Sequence, residues 1–129
     1  RRRDALGVQP LLLHGAANYA PGLSGTAKLL EEIGSPSLLV SLDAGRLLLD
    51  GETLSDAHRL FRGRIAGVRI SSGSAHLVPT AQDAPLRELV QSLPTYELDG
   101  CIVWEFDHSA YRPDPGQALR AGLSVMQTW

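Results

Sequence analysis

Two carboxylates come directly at the ends of strongly apolar segments of the sequence. Asp43 follows the segment at residues 38–42, and Glu105 ends the segment CIVWE. A carboxylate in such a place can accept or donate a proton, or bind hydroxyl groups and cations. His14 ends a third apolar segment, and Arg69 lies one residue before the end of a fourth. We therefore predict that these four side chains carry the chemistry of the chain.

Other polar residues near these positions have a functional and a structural interpretation. The ordinary pKa of histidine, about 6.5, suits a general base, yet a lone histidine at a strand end is about as often structural. Arg46 follows Asp43 by three residues, and it could bind an anion or point from a loop into solvent. His108 could lie beside Glu105. His58 and His76 are expected on a helix surface and in a loop, and no two histidines have the close spacing of zinc ligands.

The elements that must position these residues alternate between strand and helix. Apolar segments predict strands at 8–14, 38–42, 65–71 and 101–106, the last one entered through a turn at Asp99-Gly100. Helical spacing predicts helices at 26–33, 54–62, 85–93 and 115–127. Strict alternation of this kind predicts an α/β fold with a parallel sheet and right-handed crossovers.

Composition limits the classes of protein to which the chain can belong. Its 129 residues are 43% apolar with a formal charge of −2, as in one globular domain over residues 1–129. Arg1–Arg3 form a short basic start, but no basic face indicates nucleic-acid binding. No apolar run approaches the ~20 residues of a membrane-spanning helix. Cys101 alone excludes an intrachain disulfide and favours a cytoplasmic protein. The chain does not begin with Met, so we expect it to have been cut from a longer chain, processed or incompletely reported.

The order of the segments LLLHGAAN, SLLVSLDAGR, GRIAGVRISSG and LDGCIVWEFD resembles a known family. It is similar to the C-terminal half of the xylose-isomerase-like barrel superfamily, which contains sugar phosphate isomerases and epimerases and the endonuclease IV type enzymes. The most specific features are Asp-x-Gly-x at Asp43 and the Asp-Gly-strand-Glu pattern ending at Glu105. The resemblance covers nearly the whole chain and implies four consecutive βα units, half of a (β/α)8 TIM barrel.

The resemblance also implies a site at the strand ends. Members of the family typically hold a divalent metal with two Glu, one Asp and one His, and use the two Glu as acid and base. Asp43 corresponds to the Asp and Glu105 to the last Glu. This chain departs from the family elsewhere: His14 stands at the first Glu, Arg69 at the metal-binding His, and Arg46 at a His on the substrate side.

These departures predict that no metal and no other cofactor is bound. A guanidinium stays protonated and has no lone pair to give to a cation. Arg46 and Arg69 are instead expected to form ion pairs with Asp43 and Glu105. The serines at 71, 72 and 74 could bind a phosphate, although a solvated turn is the simpler interpretation of them.

Two functions remain from different classes. In the first, the chain is part of a sugar isomerase or epimerase: Glu105 and His14 exchange a proton, and the sugar or sugar phosphate is bound by Asp43, Arg46, Arg69 and His108. In the second, the barrel is a non-catalytic pseudoenzyme that binds a partner protein. In both, four parallel strands leave open edges and an uncovered apolar face. We therefore expect a partner chain, or a second copy, to complete the barrel; the alternative is an isolated monomer with a flattened, open sheet covered by helices.

Overall fold

A computed structural model describes residues 10–15, 22–98 and 100–129. Predictions that fell on Arg1–Arg3, on the first residues of the 8–14 strand and on Asp99 lie outside these residues. The strands and helices, in chain order, are β1 (Leu11–Leu13), α1 (Leu23–Ile33), β2 (Leu39–Asp43), α2 (Ala44–Leu49), α3 (Leu54–Phe61), β3 (Ile65–Ile70), α4 (Ala84–Ser92), β4 (Cys101–Trp104) and α5 (Pro115–Met126). Two 3₁₀ helices, Leu93–Tyr96 and His108–Tyr111, follow α4 and β4.

The four strands form one parallel sheet in the order β1-β2-β3-β4. Every neighbouring pair is parallel, so the carboxyl ends of all four strands lie along the same edge. The fold is therefore α/β with four βα units in sequence, as the strand and helix patterns predicted. None of the helices over the described residues has the length and the apolar composition of a membrane span.

Local signals in the sequence fix several helix ends. Gly34 ends α1 in the left-handed conformation, with a φ of 64°, and its N–H donates to Leu30. The side chain of Thr53 accepts from the N–H of Asp56 at the start of α3. Asp114 caps α5 in the same way, just before Pro115 in the first turn. These are the residue types that a helix end requires.

One face of the sheet packs against the helices. Apolar side chains of the two central strands and of the helices are almost fully buried between these layers: Val40, Leu42, Val68, Ile70, Leu30, Leu47, Phe61 and Leu86. Burial of this apolar surface is the main favourable contribution to folding. The helices thus cover one face of the sheet, while the other face is the one that would line the axis of a closed barrel.

That second face, here called the open face, keeps apolar residues exposed. Leu13 in β1 is 43% exposed and Val103 in β4 is 44% exposed. Leu11, two residues before Leu13, is exposed as well. Because side chains alternate between faces along a strand, Leu11 and Leu13 share the open face and Leu12 faces the helices.

Candidate functional site

Arg69 lies at the centre of a polar cluster at the carboxyl ends of the strands. Its Nη1 donates to Oε2 of Glu105 at 3.2 Å, and its Nη2 is 3.7 Å from Oδ2 of Asp43. Nη2 also donates to the main-chain carbonyl of His14. The exposed fractions of the side chains are 14% for Arg69, 4% for Asp43 and 52% for Glu105. The structure thus brings together three of the side chains selected from the sequence.

Strand register explains why these three side chains meet. Asp43 is paired with Arg69 across β2 and β3, and Arg69 is paired with Val103 across β3 and β4. Glu105 follows Val103 by two residues, which returns its side chain to the open face. The N–H of Glu105 still donates to Ile70, at 3.2 Å, so the end of the sheet continues to position Glu105.

Asp43 has a structural role besides its contact with Arg69. Its Oδ1 accepts from the N–H of Arg46 at 2.9 Å, which caps α2. Helix α2 begins directly after the strand, and a Cβ added at Gly45 would lie 2.9 Å from the carbonyl oxygen of Ser71. Glycine is therefore required there for the close approach of α2 to the end of β3.

Arg46 does not take the place that the sequence suggested. Because residues 44–49 are helical rather than a loop, its side chain meets Asp50 one turn later, with Nε 2.6 Å from Oδ2. Side chains four residues apart on a helix lie on one face, which explains the pairing. The guanidinium of Arg46 is thus held by Asp50, and only its main-chain N–H contacts Asp43.

His14 is fully buried, in contrast to an accessible general base. Its Nδ1 accepts from the N–H of Asp43 at 3.2 Å, and its Nε2 is 3.7 Å from Oε2 of Glu52. Burial lowers the pKa of this histidine, and that effect outweighs the opposite effect of the Glu52 carboxylate. The imidazole is thus held between the main-chain N–H of Asp43 and the carboxylate of Glu52. The main-chain carbonyl of His14, and not its ring, contacts Arg69.

Two residues in these contacts were not selected from the sequence. Glu52 accepts from the N–H of Leu23 at the start of α1, at 3.0 and 3.2 Å. His76 lies in the loop after β3, as expected, and its Nδ1 is 3.1 Å from the hydroxyl of Ser71, five residues earlier. The contact of Glu52 depends on tertiary packing, since it joins residues 29 apart, whereas that of His76 is local to the loop.

The remaining candidates lie near the same edge of the sheet. His108 is exposed in the 3₁₀ helix that Asp107 caps. The hydroxyl of Ser72 donates to Asp83 at 2.8 Å, and that of Ser71 contacts His76. Two of the three serines considered for phosphate binding are therefore engaged inside the loop, one of them with a carboxylate.

The residues present do not fit a divalent metal between Asp43 and Glu105. The guanidinium of Arg69 contacts both carboxylates, and its fixed positive charge would repel a metal ion there. Over residues 10–15, 22–98 and 100–129, no group of three or more His, Cys, Asp or Glu side chains could hold a metal ion. The cluster is an ion-pair network between side chains of the chain itself.

Comparison with known proteins shows likeness in structure rather than in sequence. No family model matches the sequence, and no curated protein matches it. Among solved structures, 3-keto-D-glucoside 4-epimerase YcjR from E. coli superposes with a TM-score of 0.77 at 17% identity. D-psicose 3-epimerase from Clostridium cellulolyticum H10, solved with D-tagatose, superposes with a TM-score of 0.73 at 16% identity.

The extent of these superpositions defines which part of the fold is present. They cover 98% and 97% of this chain, but 48% and 50% of the two epimerases. The chain thus spans about half the length of the proteins that it matches. The fold is that of half a TIM barrel, which confirms the half-barrel predicted from the sequence.

Proposed function

We propose that this chain is the C-terminal half of a sugar isomerase- or epimerase-like barrel, and that it binds a sugar and transfers a proton at a carbon next to a carbonyl. The observation that carries the proposal is the meeting of Asp43, Arg69 and Glu105 at the carboxyl ends of parallel strands. In barrel enzymes the chemistry takes place at this end of the strands. The epimerase YcjR, which superposes on 98% of this chain, shares this half-barrel fold.

Glu105 is the proposed general base. Its side chain is 52% exposed on the open face, while the contact of Oε2 with Arg69 fixes its position. A carboxylate that is both oriented and accessible can take a proton from a bound substrate. Asp43, almost fully buried, is proposed to orient Arg69, which in turn binds an oxygen of the sugar. His108 and Arg46 are proposed to contact parts of the sugar farther from the reacting carbon.

Charge favours a neutral sugar over a sugar phosphate. Asp43 and Glu105 carry two negative charges against the one positive charge of Arg69, so this part of the site is net negative. The positive charge of Arg46 is paired with Asp50. Carboxylates accept hydrogen bonds from sugar hydroxyls but repel a phosphate.

Hydrogen exchange between solvent and sugar tests the proposed reaction. The purified protein is incubated in D₂O with D-fructose, D-tagatose and D-psicose, and ¹H NMR follows loss of the signal from the carbon next to the carbonyl. Wild type should exchange this hydrogen, and Glu105→Gln should slow the exchange by about 10²-fold or more. Glu31→Gln, at an exposed position of α1, is the matched control and should exchange like wild type. Equal rates for Glu105→Gln and wild type would remove Glu105 from the proposal.

The open face leads us to propose a partner for the barrel. Leu11, Leu13 and Val103 are exposed on a face that is the interior of a closed barrel. The two epimerases have about as much chain again as this half. The proposed occupant is a polypeptide of four βα units, on the same chain or a separate one, and a second copy of this chain is the alternative.

A non-catalytic pseudoenzyme is the second candidate, and a particular observation favours it. Arg69 already contacts both carboxylates, and the imidazole of His14 is buried away from solvent. This half of the barrel thus presents one accessible acid–base group at the cluster rather than two. Absence of exchange with every ketose, together with an intact complex with a partner protein, would favour this second function.

Cysteine usage supports a proposal for the cellular compartment. Cys101, the only cysteine of the sequence, is exposed as a free thiol. Free thiols persist in reducing compartments, so we propose a cytoplasmic location. Recovery of the protein from a membrane-free extracellular fraction would contradict it.

A further inference from the structure

His14 is linked to two members of the cluster through different atoms. Its imidazole Nδ1 accepts from the N–H of Asp43, and its main-chain carbonyl accepts from Arg69. Its own N–H donates to the carbonyl of Ser41 in β2, at 3.0 Å. His14 therefore contacts the main-chain N–H of Asp43 and the guanidinium of Arg69 together, while its side chain stays out of solvent.

The contact with Asp43 fixes the state of the ring. A nitrogen that accepts from a main-chain N–H carries no proton, so the proton of the neutral ring is on Nε2. Nε2 is fully buried, and among the described residues it has no hydrogen-bond partner. The Oε2 of Glu52, at 3.7 Å, is the carboxylate that faces it.

Glu52 is itself fixed by the ends of two helices. Both of its carboxylate oxygens accept from the N–H of Leu23, and its own N–H donates to the carbonyl of Leu47 at 2.9 Å. Gly22, at the N-cap position of α1, has no side chain to accept this hydrogen bond. Glu52 supplies the missing cap from a segment 29 residues away.

We propose that the buried His14 and the partly exposed Glu52 form a positioning pair, which fixes the main chain at Asp43 and the guanidinium of Arg69 relative to each other. The proposal rests on the proposed function for its catalytic meaning, but its geometry is independent of any substrate. His14 acts through Asp43 and Arg69 and does not touch the sugar. It is a positioning residue in place of the general base that the sequence suggested.

Two substitutions distinguish the roles of the two ring nitrogens of His14. In His14→Asn the side-chain oxygen can take the place of Nδ1 and accept from Asp43, while the group near Glu52 is lost. In His14→Gln the amide can reach the place of Nε2, while the acceptor for Asp43 is lost. Amide hydrogen exchange of the native chain, read by NMR at Asp43, compares the two variants at matched global stability.

The positioning pair predicts that the N–H of Asp43 exchanges about fivefold faster in His14→Gln than in His14→Asn, the worth of one net hydrogen bond. Equal exchange in the two variants would overturn the pair. Sugar hydrogen exchange is measured on the same samples and should be slower in His14→Gln. A second possible result is that wild type shows no hydrogen exchange with the sugar while amide exchange at Asp43 still differs between the two variants. That result would refute the proposed function and support the positioning pair.

Glu52 provides a second test that does not alter His14. Glu52→Gln keeps an oxygen for the N–H of Leu23, whereas Glu52→Ala removes it. Glu52→Ala should accelerate amide exchange at both Leu23 and Asp43 relative to Glu52→Gln. Acceleration at Leu23 with an unchanged Asp43 would show that Glu52 only caps α1, and the pairing with His14 would be wrong.

Discussion

Arg69, which is permanently positive, forms ion pairs with two carboxylates that differ in burial. Asp43 is 4% exposed and loses most of its hydration in the folded chain, while Glu105 is 52% exposed and keeps much of it. Leaving a buried charge without its partner is costly, whereas a solvated one is little affected. The pair with Asp43 is therefore the contact that matters for stability, and the pair with Glu105 is the one that positions an accessible group.

Removing the charge of Arg69 should consequently destabilise the chain. In Arg69→Met, Asp43 keeps its charge without its closest cation, and the free energy of unfolding should fall by about 3 kcal/mol in urea denaturation. Adding Asp43→Asn should recover part of this loss. Arg59→Met removes an exposed pair with Asp56 and should cost less than about 1 kcal/mol. Equal losses for Arg69→Met and Arg59→Met would show that the cluster is not buried as described.

His14 predicts a pH dependence of stability with a definite sign. Burial lowers its pKa in the folded chain below the value of about 6.5 in the unfolded chain. The unfolded state therefore binds more protons below pH 6.5, and stability falls as the pH is lowered from there toward the folded pKa. Uptake of one proton by the unfolded state alone limits the slope contributed by His14 to ~1.4 kcal/mol per pH unit. Urea titrations from pH 7.5 to 5.5 should show a loss of stability that is steeper in wild type than in His14→Asn.

Residue type and position in the sequence predicted part of the cluster. Asp43, Arg69 and Glu105 could be selected because each lies at or near the end of an apolar segment, and parallel strands bring such ends together. Glu52 could not be selected, since its contacts with His14 and Leu23 depend on how two helices pack. The burial of His14 was equally hidden, because the three successive leucines before it give no polar–apolar alternation that would assign a face.

At the scale of elements, the alternation of strands and helices was predictable and the helix after β2 was not. The four strand patterns and the four longer helices follow from hydrophobic spacing with caps such as Gly34 and Asp114. Helix α2 has six residues, AGRLLL, which is too short for a periodic pattern. Its start is fixed by the Asp43 cap and by the fit of Gly45 against Ser71, both of which require the folded sheet.

Two glycines of α5 provide a test of how this helix packs on the sheet. A Cβ at Gly122 would lie 2.4 Å from the ring of Trp104, whereas a Cβ at Gly116 would lie 3.3 Å from Oδ1 of Asp114. Alanine normally favours a helix over glycine by about 1 kcal/mol. Gly122→Ala should nevertheless lower the free energy of unfolding by about 1–3 kcal/mol through overpacking. Gly116→Ala should be neutral or stabilising, and a neutral Gly122→Ala would contradict the packing of Trp104 against α5.

At the scale of the whole molecule, the central feature is half a barrel with an exposed interior face. A sheet with exposed apolar residues and free edges is prone to association. Val103 is exposed on the open face, whereas Leu49 is exposed at the end of α2. The position of a substitution should therefore decide whether it affects association.

A matched pair of charged substitutions tests this expectation. Sedimentation velocity should show association of wild type and none of Val103→Glu, because a buried carboxylate without a partner would be costly in a completed barrel. Leu49→Glu should associate like wild type. Association that is unchanged by Val103→Glu would place the contact elsewhere on the molecule.

Native mass spectrometry of the protein purified from its own source tests the central claim most directly. The account predicts that four further βα units, on a longer form of this chain, on a second polypeptide or on a second copy, complete the barrel around Asp43, Arg69 and Glu105. The mass should contain no tightly bound divalent metal, because Arg69 lies between the two carboxylates. A chain of this length that remains a bare monomer at all concentrations, or one that carries an equivalent of manganese, zinc or magnesium, would contradict the account.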